Sequence, residues 1–116
     1  MEHQAMKNMI TITVINDFSK KPYGRYESDG GNDCGYLFRK NKLVPALKKH
    51  EKVHVVLTGY NRYGRSFIDE AFGGLIREDG YTLDYLKAHL SYEHADVKSI
   101  EALVTERLEA AEADRG

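Results

Sequence analysis

The chain has 116 residues, 41% of them apolar, which is enough for one domain with a single core and too little for two. Seventeen Lys and Arg against eighteen Asp and Glu give a formal charge of -1, which excludes a global field drawing the protein to nucleic acid or to an acidic membrane. A single cysteine, Cys34, excludes an intrachain disulfide.

The opening MEHQAMKN lacks the basic-then-apolar order of a signal peptide, and residues 1–8 are expected to be flexible. No apolar run approaches the roughly 18 residues of a membrane span, so a cytoplasmic location is expected. In 9–16, Ile10, Ile12 and Val14 alternate with Thr11 and Thr13, the period of a strand with one buried face. Residues 17–33, with Pro22, three glycines and many polar residues, predict a loop with room for a short hairpin strand near Tyr26.

From 34 to 50 the pattern turns helical, with Leu37, Val44 and Leu47 on one face, Asp33 as a candidate cap and a kink expected at Pro45. VHVVLTGY (53–60) is nearly continuous in apolar and β-branched residues, as a central strand requires. GRSFIDEAFGG (64–74) then opens a second helix with Ile68, Ala71, Phe72, Leu75 and Ile76 on its apolar face. Ser66 is the expected N-cap, with Asp69 completing an approximate capping box. Gly73 and Gly74 each cost about 1 kcal/mol in an exposed helix, so either the helix ends there or something approaches closely. In LKAHLSY (86–92), Leu86, Ala88, Leu90 and Tyr92 alternate with Lys87, His89 and Ser91, which predicts a third strand with one buried face. The clearest helix spans 96–113, capped at Asp96, with Val97, Ile100, Leu103, Val104, Leu108 and Ala111 on one stripe and fraying expected over 112–116.

The sum is an α/β domain over 9–111. Its strand–helix–strand repeats predict a mostly parallel four-stranded sheet with about three helices packed mainly on one face.

Chemistry concentrates before the second helix, where Tyr60 and Tyr63 alternate with Arg62 and Arg65 beside the free amides of a helix start. That arrangement suits an anion or nucleotide site, a protein interface rich in Tyr and Arg, or a solvated loop. The five histidines have no metal-ligand spacing, Cys34 has no histidine partner, and no phosphate-binding, dinucleotide or nucleophile-elbow motif is present. No enzyme activity, metal or cofactor is therefore expected.

VHVVLTGYNRYGRSFIDEAFGGLI is similar to the strand, switch loop and helix of STAS domains, the fold of bacterial anti-sigma-factor antagonists. The succession FSKKPYGRYESDGGNDCGYLFRKNKLVPALKK then SFIDEAFGGL resembles the STAS-like family DUF4325 more closely. This resemblance runs from about Ile10 to Ala111, and SFIDEAFGG is its most specific part. It implies a regulatory module that binds a protein partner, a histidine-kinase-like ATPase or anti-sigma factor, while the charge balance leads to the expectation of no nucleic-acid or membrane partner. In antagonist STAS domains a serine at the start of this helix is phosphorylated within an Asp-Ser-Ser-Gly-like sequence. Ser66 matches the second serine of that pair and is the possible phosphoacceptor, while Arg65 stands at the first. The implied partner surface comprises Tyr60, Arg62, Tyr63, Arg65, Ser66, Phe67, Asp69 and Glu70. Arg25 and Arg39 resemble the family's recurrent arginines and are expected to support it by pairing with Asp69 or Glu70.

Overall fold

The computed structural model describes residues 8–115, so the stretch expected to be flexible lies, apart from Asn8, outside the described residues. The alternation at the start of the chain forms β1, Met9–Thr13, and a single helical turn, α1, Val14–Asp17, follows at once. The expected hairpin strand near Tyr26 is instead a helical turn, α2, Glu27–Gly30. Asp29 stops extension there, because its carboxylate accepts the backbone N–H groups of Arg25 and Tyr26 and closes the chain on itself.

The first long helix, α3, runs over 35–49 without a break at Pro45. Its middle, Arg39–Leu43, is a wide turn in which the Val44 N–H reaches back five residues to the Arg39 carbonyl. Widening the turn just before Pro45 accommodates the proline ring, which would otherwise meet a carbonyl one turn earlier. It also shifts the helical phase, so Phe38, Arg39, Leu43, Ala46 and Leu47 are buried while Leu37 and Val44 are only half-buried. Asp33 does not cap α3. Cys34 stands at the cap without a side-chain bond, and Asp33 accepts the Ser19 hydroxyl.

Strand β2, Lys52–Val56, pairs in parallel with β1, and β3, Leu90–Glu93, pairs in parallel with β2. The described sheet has three strands in the order β1-β2-β3 rather than the expected four, and six helices rather than three. Two extra helices are the single turns α1 and α2. The third, α5, Leu83–His89, takes residues expected to begin the last strand. Thr82 decides this locally, since its hydroxyl accepts the Tyr85 N–H and caps a helix where alternation alone predicts extension.

The register aligns Ile10, Val53 and Leu90 on one row and Ile12, Val55 and Tyr92 on the next. These rows join the core, whereas Thr11, His54, Ser91 and Glu93 on the opposite face stay half-buried or exposed. Sequential parallel strands joined by right-handed crossovers carry their helices to a single side, which accounts for this asymmetry. The second long helix, α4, covers 65–77 and crosses α3 at Gly35, where a β-carbon would lie 2.5 Å from the Phe67 carbonyl oxygen.

The last helix, α6, Lys98–Arg115, packs over α4. Asp96 is not its cap. His94, wholly buried, accepts the Asp96 and Val97 N–H groups on Nδ1. The helix continues to Arg115 where fraying was expected, because Glu112 accepts the Leu83 N–H and pairs with Arg115.

Candidate functional site

The sequence around Ser66 folds differently from a capped exposed helix. Gly64, not Ser66, is the N-cap of α4, and no side chain caps the helix there. Ser66 falls in the first turn with its side chain exposed, and Asp69 is not part of a capping box. Asp69 and Glu70 are buried, at 7% and 3% exposure, which a solvated first-turn acid would not be.

Arginines hold them. Arg25 reaches Asp69 at 2.8 Å and Glu70 at 3.2 Å, and Arg39 donates to Glu70 at 2.6 Å and to Asp79 at 2.8 Å. Arg77 lies 3.0 Å from Asp69, and Arg107, from α6, lies 3.3 Å from it. Four guanidinium groups thus surround three carboxylates. Burial opposes ionisation of Asp69, but the hydrogen bonds from Arg25 and Arg77 outweigh it and hold its carboxyl below the ordinary aspartate value. The Arg25 guanidinium is raised chiefly by its hydrogen bond to Asp69. Burial works against Arg39, yet Asp79 and Glu70 raise it as well.

A second wide turn, Asp69–Gly73, makes this geometry possible. The Gly74 N–H bonds to the Asp69 carbonyl, passing over Glu70, and the Glu70 carbonyl accepts Arg39 Nε at 3.0 Å. Backbone distortion in α4 therefore supplies an acceptor for the arginine from α3, a use typical of such turns. The paired glycines now have a reason. A β-carbon on Gly74 would overlap the Arg39 guanidinium, and one on Gly73 would lie 2.8 Å from Arg77 Nη1.

Of the residues expected at the partner surface, the structure separates two groups. Tyr63 and Phe67 are buried with Asp69 and Glu70. Tyr60 is half-buried, and Arg62, Arg65 and Ser66 are exposed. The Tyr63 ring sits 5.7 Å from Phe67 and 5.1 Å from Tyr60, edge-on to the latter, so these aromatics anchor the loop from inside. Burial pushes the Tyr63 phenol well above its usual value. His94 Nε2 lies 2.9 Å from the Tyr60 carbonyl and ties the same loop to the start of α6. Arg62 and Arg65 have no ion partner among the described residues.

Arg77, Asp79, Arg107 and His94 are missing from the sequence expectations. One signal could have found Arg107: it interrupts the stripe Val104, Leu108, Ala111 at a core-facing position of α6. Among the described residues no cluster of His, Cys, Asp and Glu could hold a metal ion, and no helix is long and apolar enough to cross a membrane.

A family model for a STAS-like domain of unknown function, DUF4325, matches residues 35–99. The chain belongs to this family. The matched span begins where α3 opens at Gly35 and ends in the first turn of α6. It contains Arg39, Asp69, Glu70, Arg77 and Asp79, and leaves Arg25 and Arg107 outside. No curated protein and no solved structure matches the chain.

Proposed function

We propose that this chain is a non-enzymatic regulatory module that presents the start of α4 to a protein partner, in the manner of anti-sigma-factor antagonists. One observation carries the reading. Arg62 and Arg65 flank the exposed start of the helix without an ion partner among the described residues, whereas the acids one turn below are buried and saturated by other arginines. Two uncommitted positive charges on a rigid base favour a partner surface bearing carboxylates or phosphate. A histidine-kinase-like ATPase fits as partner, and Ser66 presents its hydroxyl to solvent where such a kinase would act.

Cross-linked capture from the source cells, with wild type and Arg62→Glu/Arg65→Glu as baits, tests the proposal. Enrichment of an ATPase by the wild type and its loss with the double variant is the expected result. Equal recovery by both baits places the contact elsewhere, and recovery of no ATPase removes the regulatory reading.

The uncapped start of α4 favours a second reading, a small-anion or nucleotide sensor, because Gly64 offers no side-chain acceptor to the first-turn amides. A thermal-shift screen with phosphate, sulfate and nucleotides separates the two. A ligand at 100 times its dissociation constant adds about 2.7 kcal/mol.

A further inference from the structure

Two grooves run along the edges of the sheet. One, of about 290 Å³, touches Leu90, Ser91 and Tyr92 of β3 between α5 and α6. The other, of about 380 Å³, touches Ile10, Thr11 and Ile12 of β1 beside α3. Consecutive strand residues point to opposite faces, so a groove that touches three in a row lies along the backbone edge and not over either face. Among the described residues, β1 and β3 each pair with β2 alone. Both grooves therefore end on a strand whose outer edge pairs with no other strand among the described residues, with only the Thr13 N–H at the end of β1 taken up by Asp17, and such an open edge is what an added strand requires.

The charges beside the two edges are opposite. The α3 helix carries Lys40, Lys42, Lys48 and Lys49 and no acid, and Lys42 and Lys49 stand on the rim of the β1 groove. Asp17, the acid of that groove, is engaged by the Thr13 N–H. The α6 helix carries Glu101, Glu106, Glu109, Glu112 and Asp114 against Lys98, Arg107 and Arg115, and Arg107 is turned inward to Asp69. Glu109 stands on the rim of the β3 groove, where Lys87 is the opposing base and Leu83, Leu86 and Leu108 form an apolar lining.

We propose that the occupant of each groove is a second copy of this chain, with β1 of one copy adding in parallel to β3 of the next. Pairing two β1 edges would set Lys42 and Lys49 against themselves, and pairing two β3 edges would set one acidic α6 against another. Pairing unlike edges brings the lysines of α3 to the acids of α6 and gives both open strands a neighbour. A copy displaced along the sheet without being turned over keeps its helices on the same side, so α3 and α6 meet. Such a head-to-tail interface either closes into a ring or grows as an open assembly.

Sedimentation velocity on the full chain, from micromolar to millimolar at low and high salt, tests this. The expected result is a mass that rises with concentration and falls with salt, as exposed charge contacts are screened. Lys42→Glu/Lys49→Glu and, separately, Glu109→Lys should each weaken association about tenfold with unchanged circular dichroism, and combining all three should restore it. Should charge reversal alter the circular dichroism, Lys42→Gln/Lys49→Gln is read in the same way. A mass of one copy at every concentration overturns the proposal. So does a closed dimer indifferent to Lys42 and Lys49, which would mean pairing of like edges or another face.

Discussion

The Arg39 guanidinium lies against Gly74 and fills the space where any other residue in that turn of α4 would carry its β-carbon. The contact joins the two wide turns, one starting at Arg39 and the other at Asp69, and brings Arg39 to both the carboxylate and the carbonyl of Glu70.

Gly74→Ala should therefore destabilise the protein although alanine is the better helix former. Relief of the glycine penalty contributes about 1 kcal/mol. Displacing Arg39 breaks a buried ion pair, which costs about 3–5 kcal/mol. A net loss of about 2 kcal/mol or more is expected in urea denaturation, and a gain would show that the guanidinium moves aside freely.

Asp69 sets the acid limb of stability. Its pKa in the folded chain is depressed, so the stability it contributes is complete above the unfolded carboxylate value, about pH 4, and is lost as pH falls through the lower folded value. Urea midpoints should hold from neutral pH to about pH 4 and then drop. In Asp69→Asn the starting stability should be lower by about 3–5 kcal/mol, since the arginines lose their buried counter-charge, and the acid limb should be shallower. Part of the limb remains, because backbone amides of Arg25, His94 and Leu83 hold the carboxyls of Asp29, Glu101 and Glu112 below their usual values.

His94 is a cap made by a histidine ring. Its Nδ1 accepts two backbone N–H groups at 3.1 and 3.0 Å, which fixes the proton on Nε2, where it is donated to the Tyr60 carbonyl. His94→Leu keeps much of the volume and abandons those partners, which are only partly buried, so the cost falls toward the low end of that for unpaired groups. Each buried group left unpaired costs about 1–3 kcal/mol. Amide exchange at Asp96 and Val97 should accelerate together with exchange in the loop after Tyr60, and acceleration at α6 alone would show that the ring does not hold that loop.

Ser66→Ala should change stability by less than about 0.5 kcal/mol, the scale of an ordinary surface substitution, and not by the roughly 1 kcal/mol of a lost cap. A measured loss near the larger value would return Ser66 to the capping role that its place before an apolar run suggests.

Why that role was legible and wrong is a matter of local against tertiary signals. The run from Ile68 to Ile76 marks a helix whatever surrounds it, and the alternation of Ile10 and Ile12 marks a strand, so both elements can be read directly. The parallel sheet follows from their order. Asp69 and Glu70, by contrast, look like first-turn acids, because nothing in their neighbourhood reveals arginines arriving from α3, from α6 and from the loop at Arg25. Resemblance to the family pointed to Arg25 and Arg39, and the discomfort of Gly73 and Gly74 inside a helix pointed to a close approach. The wide turns escaped both kinds of reading, since each moves the phase of a helix by one residue without altering its composition. Leu86 to His89 escaped because a short amphipathic turn and a one-faced strand share their apolar positions until the Thr82 cap separates them.

The last prediction separates scaffold from surface at the start of α4. Phe67 is wholly buried against Phe38 and Tyr63, so Phe67→Ala should cost about 3–5 kcal/mol through the cavity it leaves, and any loss of partner binding in that variant would follow from lost structure. Arg62 and Arg65 are exposed, with no ion partner among the described residues to abandon. Arg62→Glu/Arg65→Glu should therefore melt within a few degrees of wild type, and bind the partner at least about tenfold more weakly, a loss of about 1.4 kcal/mol or more. Ser66→Asp places a negative charge directly after Arg65 on the exposed start of α4 while leaving the core untouched. If the partner brings carboxylates or phosphate, that charge competes with it for Arg62 and Arg65, and Ser66→Asp should weaken binding in the same direction as the arginine reversal. Should the arginine variant bind as wild type does while Ser66→Asp fails, the serine is read on its own. Should both bind as wild type does, the partner meets another face of the molecule.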